Sequence, residues 1–215
     1  MNADGTTEAP LLESIRFVVF DTETTGLDVH RDRLISIGAV ALKDGQIIVE
    51  DSFEALIPVV YNSATVVYHG ITREESQKGR PERETLVDFA SYARGGVLVG
   101  HHVGTDLQVL AISETRLNLS PTVSFALDTG LLARWLQEHF GQLNGHILQR
   151  FSLEELCRVY TIPMHDRHTA AGDAFLTALL FQRLLRLASR AGLTTLEALC
   201  GACRISLSEY EKPPA

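Results

Sequence analysis

Two acidic residues at the end of an apolar run are the first candidates for chemistry in this chain. The apolar residues 18–20 are followed by Asp21 and Glu23, and Gly26 comes three residues later. Side chains alternate between the two faces of a β-strand, so both carboxylates are expected to point the same way. Two carboxylates that lose hydration repel each other unless a cation lies between them, and a hard divalent metal is the simplest candidate. The alternative is a solvated turn, since Gly26 and the nearby threonines are also typical of turns.

Two further aspartates follow apolar segments later in the chain. Asp106 comes after the apolar run 97–99, and Asp173 lies at an otherwise apolar helix start. A lone carboxylate in such a setting needs a partner. For Asp173 the helix dipole offers an alternative explanation, because a negative charge is favoured at a helix N-terminus. The four acids taken together indicate one shared metal site rather than four separate structural roles.

Composition limits the classes of protein to which the chain belongs. It has 215 residues, of which 45% are hydrophobic and 21% charged, as expected for one globular domain with a sizeable core. No apolar run reaches the roughly 18 residues of a membrane helix, so no membrane partner is predicted. Three cysteines do not make a disulfide framework, which favours a reducing, cytoplasmic location. The formal net charge of −8 argues against a large basic nucleic-acid surface, although metal ions in a small site can still bind phosphates.

The elements that must position the acids are predicted from apolar periodicity and turn residues. The first three strands are joined by short connections, including the hairpin signal Asp44-Gly45, and are expected to form an antiparallel meander. Later strands alternate with helices, the longest of which is predicted over residues 170–190. The predicted strands cover residues 15–20, 34–42, 47–56, 97–99 and 124–127. This order predicts an α/β domain with a mixed five-stranded sheet and flanking helices.

Both ends of the chain are predicted to lie outside this domain. Residues 1–14 are polar and contain Gly5 and Pro10, which is typical of a flexible leader. The packed domain is predicted over residues 15–190. Residues 191–215 are predicted to form a short C-terminal helix and a tail.

Three motifs occur in an order and at a spacing that resemble a known family. Residues 21–27, Asp-Thr-Glu-Thr-Thr-Gly-Leu, match the first motif in full. His168 and Asp173, separated by four residues, match the third motif, and Asp106 stands where the second motif has its acid. On these residues the chain resembles the DEDDh 3′–5′ exonucleases, the superfamily that includes proofreading subunits of bacterial DNA polymerases. The resemblance extends from about residue 15 to about residue 190.

The resemblance implies a ribonuclease-H-like fold and phosphodiester hydrolysis with two divalent ions, Mg²⁺ or Mn²⁺. Two such ions can activate a water and stabilise the departing oxyanion. In the family pattern Asp21 would bridge both ions, and Glu23 and Asp173 would complete the ion on the side of the nucleophile. Asp106 would act largely through coordinated water at the other ion. His168 would be the general base, a task suited to the ordinary imidazole pKa of about 6.5.

The resemblance also implies a pocket for the terminal nucleotide, in which Thr24 and Leu27 contribute backbone hydrogen bonds and apolar packing. Two residues depart from the family pattern, because His102 stands where asparagine is common and Thr105 where phenylalanine is common. His102 either contacts a phosphate or sugar or packs beneath the strand end. The loss of the aromatic ring at Thr105 removes apolar packing beside Asp106 and is expected to affect substrate preference more than catalysis. The predicted substrate-binding residues are Thr22, Thr24, Thr25, Gly26, Leu27, His69 and His102.

The sequence therefore predicts a metal-dependent 3′–5′ exonuclease that acts on single-stranded or frayed DNA. An RNA-trimming or oligoribonucleotide-degrading enzyme is the first alternative, since sugar selection depends on contacts to the 2′-hydroxyl. A catalytically silent module that binds a polymerase is the second alternative. The acidic charge balance predicts a weak grip on long DNA, because few lysines and arginines contact phosphates. We therefore expect poor processivity alone, or a tethering partner such as a DNA polymerase.

Overall fold

A mixed six-stranded sheet forms the centre of the computed structural model, which describes residues 12–26, 28–60, 66–122 and 124–209. The strands are β1 (Phe17–Thr24), β2 (Leu34–Lys43), β3 (Gln46–Leu56), β4 (Val97–Gly100), β5 (Phe125–Asp128) and β6 (Arg204–Ser206). Their order is β3-β2-β1-β4-β5-β6. β1, β2 and β3 pair in antiparallel fashion, β4 and β5 continue the sheet in parallel with β1, and β6 is antiparallel to β5.

Helices cover both faces of the sheet. They are α1 (Val66–His69), α2 (Arg73–Ser76), α3 (Glu82–Ala93), α4 (Gly104–Arg116), α5 (Thr129–Phe140), α6 (Leu153–Val159), α7 (Ala170–Arg190) and α8 (Leu196–Cys203). The central helix α7 packs on β1 and β2 and is in turn contacted by α5 and α6. Within the described ranges, no helix combines the length and the apolar character that crossing a bilayer requires.

Strand β1 separates two hydrophobic clusters because its side chains alternate between faces. Phe17 belongs to the cluster on the α7 face, where its ring meets the edge of Phe181 at a centroid distance of 5.1 Å. Phe20 belongs to the opposite cluster and packs on Phe89 of α3 at 5.7 Å. Odd-numbered residues of β1 therefore face α7, and even-numbered residues face α3 and α4.

The start of α7 lies directly against β2 at Gly38. In the sheet register Gly38 is the partner of Asp21. A Cβ atom at Gly38 would lie 2.2–2.5 Å from backbone atoms of Ala170 and Ala171, the first residues of α7. Such a distance is far below van der Waals contact, so only glycine fits here without movement of backbone. This contact fixes the first turn of α7 beside the end of β1.

The observed architecture confirms the predicted mixed α/β sheet with three antiparallel N-terminal strands. The sheet has six strands instead of the expected five, because β6 lies within residues 191–215, which were expected to form a short helix and tail. The predicted helix is α8, whereas β6 is three residues long, too short for an alternating pattern to identify it. Residues 1–11 of the expected leader lie outside the described residues. The division into leader, domain and tail stays a prediction.

We predict that Gly38→Ala lowers the thermal stability of the protein. The added methyl group meets backbone rather than a flexible side chain, and overpacking of this kind typically costs about 1–3 kcal/mol. Thermal unfolding followed by circular dichroism measures the effect.

The matched control is Gly201→Ala in α8, where, among the described residues, no atom outside the adjacent residues and the local helix backbone lies within 4 Å of the added Cβ. This variant should be as stable as the wild type or slightly more stable, because alanine favours helix over glycine. Equal melting temperatures for the two variants would show that α7 moves away from β2 at no cost, contrary to the fixed contact described above.

Candidate metal centre

Three carboxylates converge between the end of β1 and the first turn of α7. Asp21 and Glu23 are odd-numbered residues of β1 and therefore face α7, where Asp173 is only 8% exposed. One carboxylate oxygen from each of the three residues lies within 4.8 Å of the others. The alternation of β1 and the contact at Gly38 together produce this cluster. It excludes the alternative in which Asp21 and Glu23 form a solvated turn.

Burial and mutual repulsion make the charged forms of these acids unfavourable. Burial, followed by the charges of Asp106, Glu23 and Asp173, raises the pKa of Asp21 well above its usual range. The pKa of Glu23 is raised to about 7, first by burial and then by the charges of Asp173 and Asp106. Such shifts are common where carboxylates are held together for binding or catalysis. A cation within the cluster would remove the cause of both shifts.

Arg167 is a cation in direct contact with this cluster. Its Nη1 atom donates a hydrogen bond to Oδ1 of Asp173, and its charge opposes the upward pKa shifts of Asp21 and Glu23. Arg167 directly precedes His168 in the sequence, but no role was predicted for it. Its orientation depends on the backbone path before α7, which apolar periodicity does not report.

Asp106 reaches the site from the other side of β1. Thr22 is an even-numbered residue and faces α4, where its backbone N–H and its Oγ1 donate to Oδ1 of Asp106 at 3.0 and 2.5 Å. Burial raises the pKa of Asp106 to about 6, although the bonds from Thr22 act in the opposite direction. Asp106 is outside the three-residue cluster, yet its charge contributes to the raised pKa of Asp21 and Glu23.

Asp128 positions the turn that leads into α4. This buried side chain accepts hydrogen bonds from the backbone N–H groups of Val103 and Leu131, each at 2.9 Å. It thereby caps the start of α5 and also holds the segment before Asp106. An aspartate ahead of a predicted helix indicates the cap. The second contact joins distant parts of the chain and carries no local signal.

His168 lies in the segment that precedes α7, next to Arg167. Both His168 and Asp166 have positive φ angles, 63° and 52°. The side chain of Arg167 is turned toward Asp173, whereas His168 is exposed. The role of His168 as general base stays a prediction.

The residues after β1 form a compact turn. Thr24 donates through Oγ1 to the backbone carbonyl of Gly26, and the buried Thr25 donates to Oδ1 of Asp32 at 2.9 Å. Asp32 also fills the space beside Gly26, where a Cβ atom would lie 2.3 Å from its carboxylate. Asp32 thus packs against the turn that was predicted to line the nucleotide pocket, although no role was predicted for it from the sequence. Leu27, predicted to line that pocket, lies outside the described residues.

The two remaining predicted contacts, His69 and His102, have different surroundings. His69 is buried in α1, where its Nδ1 accepts from the backbone N–H of Ile71 at 3.0 Å and burial lowers its pKa. His102 is exposed, and its ring centroid lies 4.3 Å from that of His101. Its ring also lies over Gly130 at the start of α5. Their binding of substrate stays a prediction, as does that of the threonines.

The carboxylate cluster fits a hard divalent cation. All donors in the cluster are carboxylate oxygens, the ligands that Mg²⁺, Mn²⁺ and Ca²⁺ prefer. The acids are partly buried and repel one another, so positive charge between them is stabilising. Asp21, Glu23 and Asp173 can hold an ion directly, with Asp106 held nearby by Thr22.

Comparison with known sequences identifies the family. The sequence model of the exonuclease family, RNase_T, matches residues 18–181, and the chain belongs to this family. A DNA polymerase III subunit epsilon-like protein of Rhodobacter capsulatus is 36% identical over 199 residues, or 89% of this chain and 27% of its own length. The PolC-type DNA polymerase III of Bacillus subtilis is 32% identical over 85% of this chain and 12% of its own length. The chain thus spans about a quarter or less of these relatives. The expected kinship with bacterial polymerase exonucleases is confirmed.

Comparison with solved structures confirms the ribonuclease-H-like fold. Escherichia coli exonuclease I, solved in complex with a dT13 oligonucleotide, has a TM-score of 0.70 at 19% identity and covers 82% of this chain and 42% of its own. The cell-death related nuclease 4 (CRN-4) has a TM-score of 0.69 at 14% identity, covering 81% of this chain and 65% of its own. At such low identity these likenesses establish the fold alone.

We predict that Thr22→Val weakens the binding of divalent ions. The substitution removes the Oγ1 hydrogen bond to Asp106 while keeping the shape of the side chain. Loss of a residue that orients a ligand typically costs about 10–100-fold in metal affinity. Isothermal titration calorimetry with Mn²⁺ measures the change.

Thr122→Val is the matched control, because Thr122 donates its N–H and its Oγ1 to one carboxylate oxygen of Glu114 in the same manner. This variant should lose stability but keep its affinity for Mn²⁺. A similar loss of affinity in both variants would attribute the effect of Thr22 to general destabilisation.

Proposed function

We propose that the chain is a DEDDh-type 3′–5′ exonuclease that hydrolyses phosphodiester bonds at 3′ ends of single-stranded or frayed DNA with two divalent ions. The observation that carries the proposal is the convergence of Asp21, Glu23 and Asp173, with carboxylate oxygens within 4.8 Å of one another. Membership of the exonuclease family supports it. The geometry of the cluster favours an active enzyme over a catalytically silent module, because a binding module has no need of repelling, partly buried acids.

In the proposed mechanism the acidic residues bind the ions, and His168 transfers a proton. When bound, two divalent ions supply the positive charge that activates the attacking water and stabilises the departing oxyanion. Asp21, Glu23 and Asp173 would hold the ions, and Asp106 would contribute from the α4 side, where Thr22 bonds to its carboxylate. His168 accepts the proton of the attacking water through its imidazole. Its exposure at the segment before α7 leaves the ring accessible to solvent and substrate.

The choice of DNA and the idea of a polymerase partner derive from the relatives. Proteins similar to this chain are named as DNA polymerase III epsilon-like and PolC-type, and a structure with the same fold holds a dT13 oligonucleotide. The net charge of −8 agrees with a small contact surface for nucleic acid and with a tethering partner. The cytoplasmic location stays a prediction.

Digestion of matched DNA and RNA oligonucleotides tests the proposed reaction. With 5′-labelled single strands and Mn²⁺, the wild type should produce a ladder that shortens from the 3′ end, faster on DNA than on RNA. Asp21→Asn should lower the rate at least about a hundredfold, because it removes one charge from the ion site.

Asp44→Asn is the control for this substitution. Asp44 lies in the exposed hairpin turn at a φ of 53°, a conformation that asparagine also adopts, and the variant should digest DNA like the wild type. Equal rates for Asp21→Asn and the wild type would reject the enzyme and leave the silent module. Faster digestion of RNA would select the exoribonuclease.

His168→Ala separates proton transfer from ion binding. Loss of a general base is expected to lower kcat by roughly 10²–10⁴-fold, with little change in the affinity for Mn²⁺. His165, an exposed histidine of the same segment, provides the control variant His165→Ala, which should keep full activity. Comparable rates for the two variants in single-turnover assays would show that another group takes the proton.

A further inference from the structure

Arg167 is held in the carboxylate cluster by an incomplete set of hydrogen bonds. Its side chain is 21% exposed and contacts Asp173 through Nη1 alone. Its Nε atom is buried and has no hydrogen-bond partner among the described residues. A guanidinium that serves as a permanent anchor for a carboxylate usually forms two parallel bonds to it. The contact of Arg167 is therefore governed by charge more than by a closed hydrogen-bond network.

The charge of Arg167 acts on the whole cluster and not on Asp173 alone. It opposes the raised pKa values of Asp21 and Glu23 in addition to its contact with Asp173. Four acids at this site balance the charge of two divalent ions. With both ions and the guanidinium present, the site would hold one positive charge in excess. Like charges at such short distances repel strongly in a partly buried site.

We propose that Arg167 is an internal counter-cation that competes with divalent ions for the carboxylate cluster and leaves Asp173 when the site is filled. The proposal rests on the metal-dependent function proposed above. In this mechanism the arginine stabilises the repelling acids before ions bind. The apparent ion affinity is then reduced by the fraction of molecules in which Arg167 remains on Asp173.

The exchange also couples ion binding to the residue next in sequence. Arg167 and His168 are adjacent, and His168 and Asp166 on either side of Arg167 have positive φ angles. Departure of the guanidinium from Asp173 removes a contact that ties this segment to α7. Filling of the ion site thereby removes one of the contacts that hold the backbone around His168, at the stage at which a substrate is to be bound, while the bond from Thr169 Oγ1 to the carbonyl of Asp166 remains.

A fixed positioning role for Arg167 has the opposite consequence for ion affinity. An arginine that only orients Asp173 as a ligand would, on removal, weaken ion binding. An arginine that competes with the ions would, on removal, strengthen it. The sign of the change in affinity therefore separates the two roles.

Titration calorimetry with Mn²⁺ on the full chain measures this sign. We expect Arg167→Gln to bind Mn²⁺ about tenfold more tightly than the wild type, within the usual range of coupling between two sites. Without divalent ions its melting temperature should be lower, and saturating Mn²⁺ should raise it by more than in the wild type. Arg167→Lys, which keeps the charge, should have an intermediate affinity and serves if the glutamine variant does not fold.

Arg116→Gln is the matched control. Arg116 forms an ion pair with Glu82 on the surface, far along the chain from the cluster, with side-chain exposures of 35% and 16%. Its loss should lower the melting temperature slightly and leave the Mn²⁺ affinity unchanged.

Nuclear magnetic resonance gives a second readout that does not depend on activity. The buried Nε–H of Arg167 should give a protected resonance, assigned by its absence in Arg167→Gln, and this resonance should broaden or exchange with water on addition of Mg²⁺.

The outcomes distinguish this inference from the proposed function. Tighter binding by Arg167→Gln supports competition. Equal or weaker binding, or an Nε–H signal that stays protected in Mg²⁺, overturns it and leaves metal-dependent hydrolysis standing. If neither the wild type nor the variant binds divalent ions, both the inference and the two-ion function are wrong.

Discussion

The alternation of side chains along β1 is the constraint on which the site depends. Because successive residues of a strand face opposite sides, Asp21 and Glu23 point to α7 and Thr22 points to α4. The same strand therefore supplies acids to one side and a hydrogen-bonding anchor for Asp106 to the other. The apolar residues at the start of β1 belong alternately to the two hydrophobic clusters, and this packing holds the strand in register. A shift of one residue in the pairing register of β1 would exchange its two faces and separate its acids from Asp173.

Repulsion among the acids of the site destabilises the folded chain, and the rest of the fold compensates for it. The pKa of Asp21, Glu23 and Asp106 is raised, which means that the folded chain resists ionisation of the groups that it brings together. Packing on both faces of the sheet provides the opposing free energy. Arg167 relieves part of the repulsion through Asp173. Local instability of this kind is expected where a protein is arranged to bind cations.

Much of the fold could be predicted from sequence because its signals are local. A short run of β-branched and aromatic residues identified β1, and the Asp44-Gly45 turn identified the hairpin between β2 and β3. Thr72 and Glu75 have the spacing of a capping box, and the structure contains that box. The three residues of β6 could not be found in this manner, because pairing with β5 rather than their own pattern makes them a strand.

The part of the candidate site that could be predicted from the sequence is the part that depends on which side chains share a face of a strand or helix. The placement of Asp21 and Glu23 on one face follows from the period of β1. Their meeting with Asp173 was expected from the family resemblance, and it depends on the long-range contact between Gly38 and the start of α7. The partner of Asp106 could not be derived in advance, because it depends on how α4 docks against the even face of β1. Arg167 was missed because its orientation depends on an irregular segment with positive φ angles rather than on any repeat.

The missing side chain at Gly38 has a mechanical consequence for the acids beside it. Where two elements are separated by side chains, rotamer changes let the gap widen or narrow. Here the backbone of β2 touches the backbone of α7, and the closest approach lies next to Asp21. The distance between β2 and α7 is therefore nearly fixed at this point. Adjustment to cations of different radius must come from carboxylate rotation and from the segment before α7, while the two scaffolding elements keep their distance.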